Sequence, residues 1–118
     1  MDGPAKRLTA AVTGLGYLCY NGLGVQRDAA TASQLWRAAA NRSNAFAQFN
    51  LGILYANGDG VRKDIEIAYK YIKAASLNYK RDKRIVYQDF LQKLSVQIPK
   101  ERLVSLDYQA SIMGSVLP

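Results

Sequence analysis

The chain has 118 residues, 49% hydrophobic and 21% charged, with 16 basic residues against 9 acidic ones and a net charge of +7. That describes one ordinary globular domain over residues 1–118, long enough to bury a modest core and without the long apolar run of a membrane span. No histidine and a single cysteine exclude the commonest general base, an internal disulfide and a paired-thiol metal site.

Residues 1–4 read as a loose tail. Lys6 and Arg7 then precede Leu8-Thr9-Ala10-Ala11-Val12, as in an export signal, but Thr9, Thr13, Gly14 and Gly16 break the apolar run. A helix ending at Asn21 explains these residues better, because they recur 36 positions later. Ala11, Leu15, Gly16, Leu18, Asn21 and Gly22 return as Ala47, Leu51, Gly52, Leu54, Asn57 and Gly58. Gly24, Val25, Asp28, Ala32, Ala38 and Ala39 return as Gly60, Val61, Asp64, Ala68, Ala74 and Ala75. A fixed period of this size marks a solenoid unit stacked on its copy, repeat 1 over about 9–44 and repeat 2 over about 45–80.

Each unit reads as helix, glycine turn, helix. Ala47, Leu51, Leu54 and Tyr55 share one helical face. Gly16 and Gly52 sit inside their helices, where glycine costs roughly 0.5–1 kcal/mol against alanine, so a close helix approach is expected there. Cys19 stands where repeat 2 has Tyr55 and is expected to pack as a small apolar residue. The helices stop at Asn21-Gly22-Leu23-Gly24 and Asn57-Gly58-Asp59-Gly60, with Val25 and Val61 anchoring the loops. Asp28 and Asp64 cap the second helix of each unit. These second helices carry the stripes Ala32, Leu35, Trp36, Ala39 and Ala68, Tyr71, Ile72, Ala75, with Ala38–Ala39 and Ala74–Ala75 permitting close packing.

After Tyr79 the period fades. Val86, Phe90, Leu91 and Leu94 keep helical spacing, and Pro99 opens a helix faced by Leu103, Leu106, Ala110 and Met113. Residues 81–113 are therefore a capping helical pair, with 115–118 a loose tail. The expected fold is all-α: a right-handed α-α superhelix of two hairpins plus a divergent C-terminal helical hairpin.

Chemistry finds little purchase. Glu66, Asp82, Asp89, Glu101 and Asp107 form no pair spaced for acid–base work. Gly22-x-Gly24 and Gly58-x-Gly60 lack the preceding strand and following Gly-Lys-Ser/Thr of a phosphate loop. No catalytic residue, metal site or cofactor is expected. A binding surface is expected on the concave face, lined by the first helix of each unit, where Thr13, Tyr17, Tyr20, Asn21, Phe49, Asn50, Ile53 and Asn57 lie outside the core stripe. The competing reading packs Tyr17, Phe49 and Ile53 between hairpins and uses Asn21 and Asn57 at helix ends. Charge is concentrated over residues 62–84, where eight basic residues oppose three acidic ones. Lys70, Lys73, Arg81 and Arg84 are candidates there for meeting an acidic protein surface; the alternative is nucleic acid bound by residues 62–84, although no nucleic-acid motif accompanies the charge.

The pattern Ala47-x-x-x-Leu51-Gly52-x-x-Tyr55-x-x-Gly58-x-Gly60-Val61-x-x-Asp64-x-x-x-Ala68, closed by Ala74-Ala75, resembles the Sel-1-like repeat family, relatives of the tetratricopeptide repeats. The first copy carries Leu15-Gly16, Gly22-x-Gly24-Val25, Asp28, Ala32, Trp36 and Ala38-Ala39. Cys19 replaces the usual tyrosine, Ile72 the usual tryptophan, and Arg42 and Asn78 stand where the family favours glycine. The resemblance implies a non-catalytic protein–protein interaction module: a small adaptor, often bacterial, or an immunity-type binder that neutralises a toxin. The expected partner is another protein, with this chain a monomer or weak homo-oligomer. The compartment stays open, cytoplasmic or, with a signal removed ahead of residue 1, periplasmic.

Overall fold

Asp28 and Asp64 set the frame of the two repeats. Asp28 Oδ1 accepts the Thr31 amide at 3.0 Å and its Oδ2 accepts the Thr31 hydroxyl at 2.7 Å; Asp64 Oδ1 accepts the Ile67 amide at 3.0 Å. Each aspartate also ties its helix to the one before it, through Asp28 N–H to Cys19 O at 2.8 Å and Asp64 N–H to Tyr55 O at 3.0 Å. Between them, Gly22 and Gly58 both end their helices in the left-handed conformation at φ 68°, a geometry that side-chain-bearing residues resist. The two turns therefore share one conformation.

The computed structural model describes residues 3–78 and 84–113; Lys80, Arg81, Asp82, Lys83 and the tail at 115–118 lie outside that range. Six helices appear among the described residues: α1 Pro4–Asn21, α2 Ala29–Ala40, α3 Ala45–Asn57, α4 Ile65–Asn78, α5 Arg84–Ser95 and α6 Lys100–Ile112. α1 pairs with α2 and α3 with α4, α2 packs on α3, and α4 carries both α5 and α6. The result is a right-handed α-α solenoid with extents of 42 × 32 × 25 Å. Two boundaries differ from expectation. Pro4 belongs to α1, where its missing amide proton costs nothing in the first turn, and Pro99 caps α6 from outside.

The core is continuous from Trp36 through Leu51, Leu54 and Ile72 to Leu91, Leu94 and Leu106. Helices approach closely at two glycines: a Cβ on Gly16 would lie 2.5 Å from Trp36 Nε1, and one on Gly52 would lie 2.5 Å from Ile72 Cγ1. Repeat symmetry does not carry burial with it. Ala74 is covered whereas its counterpart Ala38 is exposed, because α4 bears two further helices and α2 does not. Cys19 is half-buried beside the core and does not fill the place of Tyr55.

Gly14 is helical with nothing within 4 Å of an added Cβ, so Gly14→Ala should raise stability by about 0.5–1 kcal/mol in urea unfolding. The Asp28 carboxyl is held below its ordinary range by the Thr31 amide and then the Thr31 hydroxyl. A depressed folded pKa stabilises above the unfolded value, about 3.9, and the contribution disappears as pH falls through the folded value. Thermal melts should therefore show wild type losing stability relative to Asp28→Asn below about pH 4; a constant difference down to pH ~2 contradicts this.

Candidate functional site

Trp36 is the starting point. It projects from α2 between the first helices of the two repeats, and its Nε1–H donates to Thr13 O at 3.0 Å. Gly16 makes the space for it, since any side chain there would occupy the indole's place. The ring lies 5.7 Å from that of Tyr20, tilted by 40°. Tyr20 is fixed in turn by repeat 2: its hydroxyl donates to Asp59 Oδ2 at 3.0 Å, and Arg27 Nη2 donates to the same oxygen at 3.0 Å. The Arg27 guanidinium also covers the Tyr20 ring at 4.6 Å. Its pKa is raised, chiefly by the Asp59 hydrogen bond and then by Tyr20. One carboxylate on the second turn thus clamps two side chains of the first repeat.

With Trp36 and Tyr20 held, α1 and α3 border a groove of about 180 Å³. Tyr17, Tyr20 and Asn21 line it from α1, Phe46, Asn50, Ile53 and Leu54 from α3, and Trp36 forms its floor. Two large aromatics on its walls are unusually open, Tyr17 at 47% and Phe46 at 49% exposure. Asn50 is half-buried, and among the described residues its amide has no hydrogen-bond partner. Asn21 is partly committed, donating from Nδ2 to Tyr17 O at 2.9 Å. The groove therefore offers apolar walls, one unengaged amide and one tyrosine edge. Its lining residues are aromatic, aliphatic and amide side chains, the kinds enriched at recognition surfaces.

The structure brings Tyr17, Tyr20, Asn21, Asn50 and Ile53 together, and separates the other expected residues from them. Phe49 faces α5, its ring 4.7 Å from Tyr87 and 5.4 Å from Phe90. Thr13 is buried, its hydroxyl donating to Thr9 O at 2.9 Å. Asn57 is exposed at the end of α3, outside the lining. Lys70 lies by Glu66, Arg102 and Gln109 in the seam between α4 and α6. Lys73 Nζ is 3.8 Å from Asp107 Oδ1, which also accepts the Tyr69 hydroxyl at 2.7 Å. Burial first, and then that hydrogen bond, push the Tyr69 pKa up. Lys73 thus joins the attachment of α6, and neither lysine lines the groove. Arg81 and the Arg84 side chain lie outside the described residues.

Phe46 escapes the sequence reading, although a signal for it exists. Phe46, Asn50 and Ile53 follow the i, i+4, i+7 spacing of one helical face, and the shift of 36 residues places Tyr17 opposite Ile53. Trp36 is read from sequence only as core; it is core, and it is also the groove floor. Among the described residues no cluster of three or more His, Cys, Asp or Glu side chains could hold a metal, and no helix is long and apolar enough to cross a membrane.

The profile of the Sel1 repeat matches residues 9–44 and 45–79. The chain is 42% identical over 60 residues to the ERAD-associated E3 ubiquitin-protein ligase component HRD3B of Arabidopsis thaliana, covering 50% of this chain and 10% of that protein. It is 41% identical over 58 residues to the human protein sel-1 homolog 2, covering 48% of this chain and 8% of the relative. It therefore spans about a tenth of the length of these relatives. A crystal structure of a Sel1 repeat protein from Oxalobacter formigenes superposes with a TM-score of 0.70 at 28% identity, covering 97% of this chain and 47% of the other.

Proposed function

The chain belongs to the Sel1 repeat family, whose repeats mediate protein–protein interaction, and on that premise we propose that it binds a partner protein through the groove between α1 and α3. The observation that carries this reading is the groove itself: open aromatic walls and an unengaged amide on a floor fixed by Trp36. Large rigid side chains supply contact area at low entropic cost, and Asn50 supplies a hydrogen bond to a partner's backbone. Because the Asp59 clamp and Trp36 hold the site before binding, little ordering has to occur on association.

The module acts non-catalytically, as an adaptor. The ubiquitin-ligase components among its relatives favour that form over a toxin-neutralising binder, which would use the same groove but abolish its partner's activity. A net charge of +7 favours a partner with an acidic surface, and Lys70 and Lys73 contribute to its approach from outside the groove.

Capture from native lysate, followed by calorimetry with the protein so identified, tests this. Tyr17→Ala with Asn50→Ala should weaken binding at least about tenfold, as truncation of central contacts does. Lys70→Ala with Lys73→Ala should slow association a few-fold at low salt and leave dissociation unchanged. Equal affinity of the groove variant and wild type overturns the reading. Binding to generic DNA or RNA that collapses with log salt would favour the nucleic-acid alternative.

A further inference from the structure

The outer face of α1 repeats the sequence of a buried surface without being buried. Leu15 and Leu18 correspond to Leu51 and Leu54, which are 0% and 2% exposed, yet they stand at 47% and 40%. Leu51 and Leu54 are covered because α3 has α2 on one side and α4 on the other, whereas α1 packs on α2. The turn below shows the same imbalance. Gly60 abuts Ala29 at the head of α2, while a Cβ added to its counterpart Gly24 would meet nothing within 4 Å. Asp59, which clamps repeat 1, is replaced in the first turn by Leu23, 50% exposed.

Leu8, Ala11, Leu15 and Leu18 follow the 3-4-3 spacing of a coiled-coil seam, all four exposed. We propose that this seam is the interface of a two-fold symmetric dimer in which α1 packs antiparallel on α1 of a second copy. The charge distribution and the side-chain sizes along the seam fit that occupant. α1 has no acidic residue, its first turns carry Arg7 beside the seam, and its last turn has no basic residue. Antiparallel pairing places each Arg7 by the carbonyl end of the partner helix, where a cation is favoured, and parallel pairing places the two Arg7 side chains together. The same pairing sets Leu15 opposite Ala11 and Leu8 opposite Leu18 across the dyad, a large-against-small match at the centre. The dimer leaves the α1–α3 groove open, because Tyr17 lies on another side of the helix and is not part of the seam.

Sedimentation velocity across concentrations up to about 1 mM tests the proposal. Wild type should move from the 13.0 kDa chain mass to twice that value and stop there. Leu15→Glu should remain monomeric with unchanged helical circular dichroism, its carboxylate reaching water as the half-exposed leucine does. Arg7→Glu, a fully surface change, should weaken the dimer about tenfold, two helix-end contacts being reversed at once. Tyr108→Glu, on the exposed face of α6, should dimerise as wild type does. Monomer at every concentration, a dimer indifferent to both Leu15→Glu and Arg7→Glu, or growth beyond the dimer that Tyr108→Glu stops, overturns it; the last marks head-to-tail stacking.

Discussion

Replacing Trp36 with alanine is expected to lower the unfolding free energy by about 3–5 kcal/mol, the range for emptying a buried tryptophan site. The residue is 2% exposed, touches the Gly16 backbone, donates to Thr13 O and supports the Tyr20 ring. A domain of this size has about 5–15 kcal/mol in total, so the variant should be partly unfolded near its former melting region. Trp36→Phe keeps a ring and loses the indole hydrogen bond, and should cost about 1–2 kcal/mol. Urea unfolding followed by circular dichroism measures both. A loss under about 1 kcal/mol for the alanine variant would show that Trp36 does not bridge the first repeat as described.

Gly52 should respond in the opposite sense to Gly14, although both are helical glycines. Helix propensity alone favours alanine by about 1 kcal/mol. At Gly52 that gain meets Ile72 Cγ1 at 2.5 Å and the Ala68 carbonyl at 3.1 Å. The isoleucine can turn, but the carbonyl belongs to the backbone of α4 and yields only if the whole helix moves. Overpacking of this kind costs about 1–3 kcal/mol, so Gly52→Ala should be net destabilising and Gly52→Val should lose about 3 kcal/mol. If Gly52→Ala proved as stabilising as Gly14→Ala, the close packing of α3 on α4 would be refuted.

The architecture is legible because its determinants are local and occur twice. Paired glycines, paired aspartates and one helical face specify the hairpin, and the two turns adopt the same conformation. Residues doing a non-repeated job are harder to read. Leu15 matches Leu51 by identity, yet burial depends on the neighbouring helix in the stack, and that is absent from the residue's own sequence context. Phe49 resembles a surface aromatic until Tyr87 and Phe90 are brought against it from a segment where the period has faded. Asp59 looks like a turn residue, and its clamp on Tyr20 and Arg27 spans 39 and 32 positions. Lys73 reads as part of a free basic face because α6, which supplies its partner Asp107 and Glu66's partner Arg102, carries no repeat pattern.

Hydrogen exchange with the captured partner bound decides whether the α1–α3 groove is the binding surface. Added protection is expected to concentrate in residues 17–21 and 46–54, the two walls around Trp36. Protection confined to residues 62–78, with the walls exchanging as they do in the free protein, would contradict it.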